Sequence, residues 1–252
     1  MPIRGLTARN MPRDLHNKQK QRNSKLIIYI LRHGTTEWNN EHKIQGRTDI
    51  MLDDLGREMA RETGEKLAEK GIHFDKVYSS PLKRAYETAT LVSQAEDPEQ
   101  TIITDKRLRE LSFGRQEGQK VEAMMYDVSV PFRYFKQAPD KYDELTIRDS
   151  DTESLSTLCE RAAEFLKEKV ESADEADAGT TILISGHGAL NKALLMHIRE
   201  GVAMPDFWGD GLQPNCGIDV VRYDEKTKKY EILKSNRTYY NENIKSRLTQ
   251  LL

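Results

Sequence analysis

Cysteine is nearly absent from this chain of 252 residues. Cys159 and Cys216 are too few for a disulfide framework and lack metal-ligand spacing, so both read as core thiols in a reducing compartment, the cytoplasm. No apolar run approaches the roughly 18 residues that span a bilayer, so no membrane insertion is expected. An excess of one charge is also missing: Lys plus Arg number 39 against 41 Asp plus Glu, which argues against a protein that coats nucleic acid. Repeats, low-complexity tracts and a His-Glu-x-x-His pattern are absent too, and with them the usual signatures of solenoids and zinc hydrolases.

What remains is a strongly charged chain, 32% Asp, Glu, Lys and Arg, with a mean hydropathy of -0.74. Its length suits one domain with an insertion and is ample to bury a core. Residues 1–24 carry six Lys or Arg against the single acid Asp14 and no sustained apolar run, which reads as a disordered basic tail without a secretory signal.

Chemistry concentrates where apolar strands end. The run Leu26 to Leu31 passes directly into Arg32-His33-Gly34, and Thr181 to Ser185 passes into Gly186-His187-Gly188. Short Ile-rich runs suit strands buried on both faces of a parallel sheet, whose sites lie beyond the strands' carboxyl ends. Between them Phe74 to Ser79 reads as a strand and Ser80 as the N-cap of a helix with Pro81 at its first position, placing Arg84 in the first turn. Three junctions thus present Arg32 with His33, Arg84, and His187 toward one sheet edge, as an anion pocket.

Helical spacing recurs over 53–70, 81–94, 152–172 and 189–198, while Thr101 to Thr104 reads as a short strand. Residues 115–150 are aromatic and irregular, with Pro131 and Pro139 as breakers. Ala173 to Gly179 reads as an acidic solvated loop. Ile218 to Tyr223 and Lys229 to Leu233 alternate around a turn and read as an edge hairpin, and 241–252 as a tail or amphipathic helix through Ile244, Leu248 and Leu251. Leu108-Arg109-Glu110-Leu111 sets one carboxylate among apolar neighbours, a setting that suits a proton donor; the alternative is a surface pairing of Glu110 with Arg107 or Arg109.

Four ordered motifs, Arg32-His33-Gly34, Ser80 to Ala85, Leu108 to Leu111 and Gly186-His187-Gly188, resemble the histidine phosphatase superfamily, also called phosphoglycerate-mutase-like. The resemblance runs from about residue 25 to 234. It implies a three-layer α/β/α sandwich with a mostly parallel central sheet, a helical insertion over the active site (115–150) and a C-terminal edge hairpin, in a domain of residues 25–240. It implies His33 as nucleophile, Glu110 as proton donor, Arg32, Arg84 and His187 around the phosphoryl group, and Asn39, Gln45 and Gly46 as further substrate-binding positions. Gly34 is expected to let backbone approach the phosphate. His42 and His197 read as bystanders.

A phosphatase acting on a small phosphorylated metabolite, with no cofactor or metal, is therefore the expectation. Ser112-Phe113-Gly114 stands where the mutase branch usually carries His-Tyr-Gly, and Asn215 to Ile218 is phosphatase-like, although Gln116 departs from the aromatic that often precedes Glu-Gly. The alternatives are a 2,3-bisphosphoglycerate-dependent phosphoglycerate mutase and a non-catalytic protein that binds a phospholigand.

Overall fold

The computed structural model describes residues 25–148, 151–172 and 179–250. The basic tail, most of the acidic stretch after Ser172 and Leu251 therefore lie outside the described residues.

In chain order the elements are β1 (Lys25–Arg32), α1 (Glu37–Asn40), α2 (Asp54–Glu69), β2 (Lys76–Ser79), α3 (Lys83–Ser93), β3 (Ile102–Thr104), α4 (Val121–Tyr126), α5 (Pro139–Thr146), α6 (Leu155–Leu166), β4 (Thr181–Gly186), α7 (Gly188–Ile198), β5 (Ile218–Asp224), β6 (Lys229–Arg237) and α8 (Glu242–Gln250). Six strands form one sheet in the order β3-β2-β4-β1-β5-β6. The first four are parallel; β5 runs antiparallel to both β1 and β6. The sheet is thus mostly parallel and closed at one edge by the expected hairpin, whose second strand runs on to Arg237, past Leu233.

Each strand alternates between two cores. Leu26, Ile28 and Ile30 of β1, with Ile182 and Ile184 of β4, face the cluster under α6 and α7, whereas Tyr29, Leu31 and Leu183 face the cluster under α2, α3 and α8. Period-2 side chains on a sheet covered from both sides make the strands read as continuous apolar runs and produce the three-layer sandwich.

Boundaries shift in three places for local reasons. Asp53 caps α2 through Gly56 N, as expected. Ser80 is not the cap of α3: its Oγ accepts from Leu82 N at 3.2 Å, a local turn that delays the helix to Lys83 and leaves Pro81 outside it. The stripe over 152–172 begins only after Ser154, whose hydroxyl accepts from Thr157 N, and its last turn widens into a π-helical turn at Lys167–Glu171. The tail does form α8, with Ile244 fully buried against the α2 and α3 side.

The connections out of β1 and β4 leave in opposite directions. Helix α2 carries the chain from β1 toward β2, and α7 carries it from β4 toward β5. A crevice opens at such a switch point, beyond the carboxyl ends of the two strands. The registered pair Arg32 and Gly186 lies there, followed by His33 and His187.

Candidate active site

His33 and His187 meet across the switch point with ring centroids 5.2 Å apart, both almost wholly buried. His33 N donates to Gly186 O at 3.1 Å, fastening the loop after β1 to the end of β4. Arg32, His33, Asn39, Gln45, Gly46, Arg84 and Glu110 line one pocket of about 190 Å³. Seven of the eight anticipated positions share this lining; the eighth, His187, is outside it but has its ring against that of His33.

His33 Nδ1 and Gly34 O lie 2.6 Å apart, so Nδ1 carries the hydrogen and Nε2 keeps its lone pair. Burial pushes the imidazole well below its ordinary pKa, and the guanidinium groups of Arg84 and Arg32 push the same way. His187 is lowered well below its ordinary value too, first by burial and then by Arg84. Its Nε2 lies 2.8 Å from Ser80 Oγ, while Nδ1 is buried without a partner. Ser80 is therefore a partner of His187 that its turn position concealed in the sequence.

Arg84 is completely buried. Two of its guanidinium nitrogens donate to Thr48 O at 2.9 Å and Gly46 O at 2.7 Å, which orients the group and leaves Nε without a partner. Those carbonyls are held in turn by Glu117, whose carboxylate accepts from Arg47 N, Thr48 N and Thr48 Oγ1. Gly46 has φ +53°, and a Cβ there would lie 2.1 Å from Glu117 Oε1, so glycine is required by this loop. Arg32 donates to Gln213 O at 2.5 Å, and its Nε is likewise buried and unpartnered. Burial lowers both guanidinium groups to about 10, so they remain cationic at neutral pH.

Glu110 does not have the purely apolar surroundings its neighbours suggest, nor does it pair with Arg107 or Arg109. Its carboxylate accepts from Leu111 N, Ala189 N and Leu190 N at 2.9–3.1 Å and so caps the positive end of α7. Arg107 instead pairs with Asp105 and Glu168, and Arg109 turns back to Lys106 O. Positions on α7 confirm convergence: a Cβ on Gly188 would lie 3.6 Å from Glu110 Oε2 and 3.9 Å from Arg32 Nε. A Cβ on Gly34 would strike Gly56 O at 2.6 Å, so the residue must be small to admit α2.

Asn39 uses its Oδ1 in a capping box with Thr36, which leaves its amide N–H groups for a ligand. Gln45 offers a buried, unpartnered Oε1. His42 is exposed and borders a different hollow, and His197 pairs with Glu171. In the loop between α7 and β5, Gln213 escapes sequence reasoning and Asn215 is legible only as part of a phosphatase-like run. Asn215 Nδ2 donates to His33 O and Gly34 O, while Gln213 holds Arg32 and bonds Asn191 and Asp219. The turn-forming run Gln213-Pro214-Asn215-Cys216-Gly217 marks a loop, but nothing in it marks a loop that grips another strand's end.

The profile of the histidine phosphatase superfamily (branch 1) matches residues 28–236. The chain belongs to this superfamily. It is 29% identical over 211 residues to phosphoserine phosphatase 1 of Hydrogenobacter thermophilus, covering 84% of this chain and 92% of that relative. It is 31% identical over 220 residues to the 2,3-bisphosphoglycerate-dependent phosphoglycerate mutase of Streptococcus thermophilus, covering 79% and 94%. Among solved structures, Bacillus stearothermophilus YhfR superposes with a TM-score of 0.73 at 26% identity, over 84% of this chain and 98% of that one. The relatives it resembles thus include both a phosphatase and a mutase.

Proposed function

We propose that this protein is a phosphatase that hydrolyses small phosphate monoesters through a phosphohistidine on His33. The observation that carries the reading is the set of buried donors without partners, Arg32 Nε, Arg84 Nε and His187 Nδ1, gathered around an imidazole whose Nε2 is free. An unsatisfied buried N–H costs about 1–3 kcal/mol, and more when charged, so a fold that keeps three together is organised for an anion. Ser80 Oγ accepts from Leu82 N and can direct its own proton to His187 Nε2; in that tautomer Nδ1 is a donor.

In the proposed reaction His33 Nε2 attacks phosphorus in line, the bond to the alcohol oxygen breaks, and Glu110 delivers its proton to that oxygen. Water then attacks the phosphohistidine, Glu110 takes a proton from it, and phosphate leaves as the nitrogen–phosphorus bond breaks. Arg32 and Arg84 neutralise the nonbridging oxygens throughout, and no metal ion is required. Residues 25–240 act as one unit, with 115–150 as a lid that contributes Val121, Phe132 and Phe135 to the pocket.

Hydrolysis is favoured over mutase activity by the rest of that lining. A bisphosphorylated ligand needs cations for its second phosphate, and outside the phosphate hole this pocket supplies Lys43 alone, already paired with Glu41, while Arg133 and Lys136 line only the adjoining cavity. The test is phosphate release from a panel of monoesters. Wild-type protein should release phosphate with chelator present, Glu110→Gln should be slowed on the order of 10² to 10³-fold, and His33→Ala should be inactive. Conversion of 3-phosphoglycerate to its 2-isomer without phosphate release would select the mutase, and loss of activity with chelator would remove the metal-free mechanism.

A further inference from the structure

Beyond the phosphate hole the pocket changes character. Its outer wall consists of Phe113, Val121, Phe132, Phe135, Trp208 and Leu212. The rings are one packed assembly centred on Phe135, which lies 5.1 Å from Phe113, 5.0 Å from Tyr142 and from Trp208, and stacks on Phe132 at 5.3 Å and 25°. Trp208 Nε1 donates to Phe135 O at 2.7 Å, so the indole face is fixed. Three separate stretches of chain supply these side chains, and their mutual packing holds the wall in shape without help from a ligand.

The wall does not end with the pocket. It continues into a second cavity of about 290 Å³, larger than the hollow at His33, and the two share Val121, Phe132, Phe135, Trp208 and Leu212. A ring cluster serving only to close the lid would be covered on every side; here Leu212 is 50% exposed, while Phe135 and Trp208 stay half-buried along the opening. Continuous apolar surface running from a reaction centre favours a ligand that covers it. A small zwitterionic alcohol would lose hydration against these rings: in the hollow at His33 only Lys43 and the Gln45 carbonyl are left as polar side chains outside the phosphate hole and Asn39, and Arg133 and Lys136 line the second cavity alone.

We infer that the site selects phosphate monoesters whose alcohol carries an aryl or comparably flat apolar group, the phosphoryl group at His33 and the ring along Phe132, Phe135 and Trp208. The inference rests on the phosphatase reading and names its substrate class. Offset or edge-on ring contacts, which the wall already uses among its own members, would hold the incoming ring.

The experiment compares kcat/KM for 2-(1-naphthyl)ethyl phosphate, ethyl phosphate and phosphoserine. The first two release alcohols of similar acidity, so their difference reports binding of the ring and not ease of bond cleavage. Wild-type protein should prefer the naphthyl ester by about tenfold or more over both others. Leu212→Ser, at a half-exposed position that the fold tolerates, and Trp208→Leu should each narrow the naphthyl-to-ethyl ratio several-fold. Equal or better cleavage of ethyl phosphate or phosphoserine overturns the inference while leaving a phosphatase, as do variants that slow all three esters alike. Failure of the wild type to release phosphate from any of the three overturns the phosphatase reading itself.

Discussion

Two neutral imidazoles held beside two guanidinium groups set the properties of single residues in this site. His33 and His187 are buried and lie against cations, which lowers both pKa values well below the ordinary one near 6.5. The unfolded chain takes up protons on these rings as pH falls through about 6.5, while the folded protein does not. Their contribution to stability is therefore complete above the unfolded value and is lost progressively as pH falls toward the folded ones. Carboxylates titrate lower and add their own acid sensitivity, so the comparison must isolate one ring. Between about pH 7.5 and pH 5.5 the wild-type stability should fall more than that of His187→Gln, at about 1.4 kcal/mol per pH unit below about 6.5, with a correspondingly larger drop in Tm. Parallel curves would show that burial does not hold this ring neutral.

The same residues were the most legible part of the sequence. Arg32, His33, Arg84 and His187 stand at ends of apolar strands or in a first helical turn, positions that local pattern marks. The partners that orient them were not legible. Ser80 looks like a cap, Glu117 like a surface acid, and Asn215 like a turn residue, because each acts through a hydrogen bond to chain 69 to 182 positions distant. Glu110 shows the same limit in reverse: its apolar neighbours along the chain are visible, but the amides of α7 that receive its carboxylate are not.

Among elements, the contact between α2 and the loop after β1 governs how accurately His33 is held. Asp53 Oδ1 accepts from both Gly56 N and Thr35 Oγ1, and Asp53 N donates to Thr35 O, tying the helix start to the loop. Gly56 and Gly34 face each other so closely that a Cβ on Gly56 would lie 2.2 Å from Thr35 O. Gly56→Ala should therefore push the loop away from the helix. The expected cost is roughly 1–3 kcal/mol of stability, as for other overpacked contacts, with a fall in kcat/KM that Gly71→Ala, with open space around its Cβ and only a strained φ, does not reproduce. Thermal unfolding and kinetics on the two variants decide the point. Helix and hairpin existence followed from periods of 3.6 and 2, whereas the contact of two glycines 22 positions apart has no periodic signature.

For the whole molecule, the strand order brings the site together. Inserting β4 between β1 and β2 places Gly186 beside Arg32 and Ser79 beside Ser185, so motifs spread over more than 150 positions end on one rim. That order arises from pairing between strands remote in the chain, which apolar runs alone do not specify. The two-sided core follows from it, since α6 and α7 cover one face and α2, α3 and α8 the other. On the proposed mechanism the central intermediate is a phosphoryl group bonded to His33. The most direct measurement is to mix the protein with a phosphate monoester labelled with radioactive phosphorus, quench in alkali within the first turnover, and map the labelled peptide. Label on His33, stable to alkali, released by acid and absent from His33→Ala, is the predicted result; turnover without label on His33, or equal labelling of the variant, would contradict it.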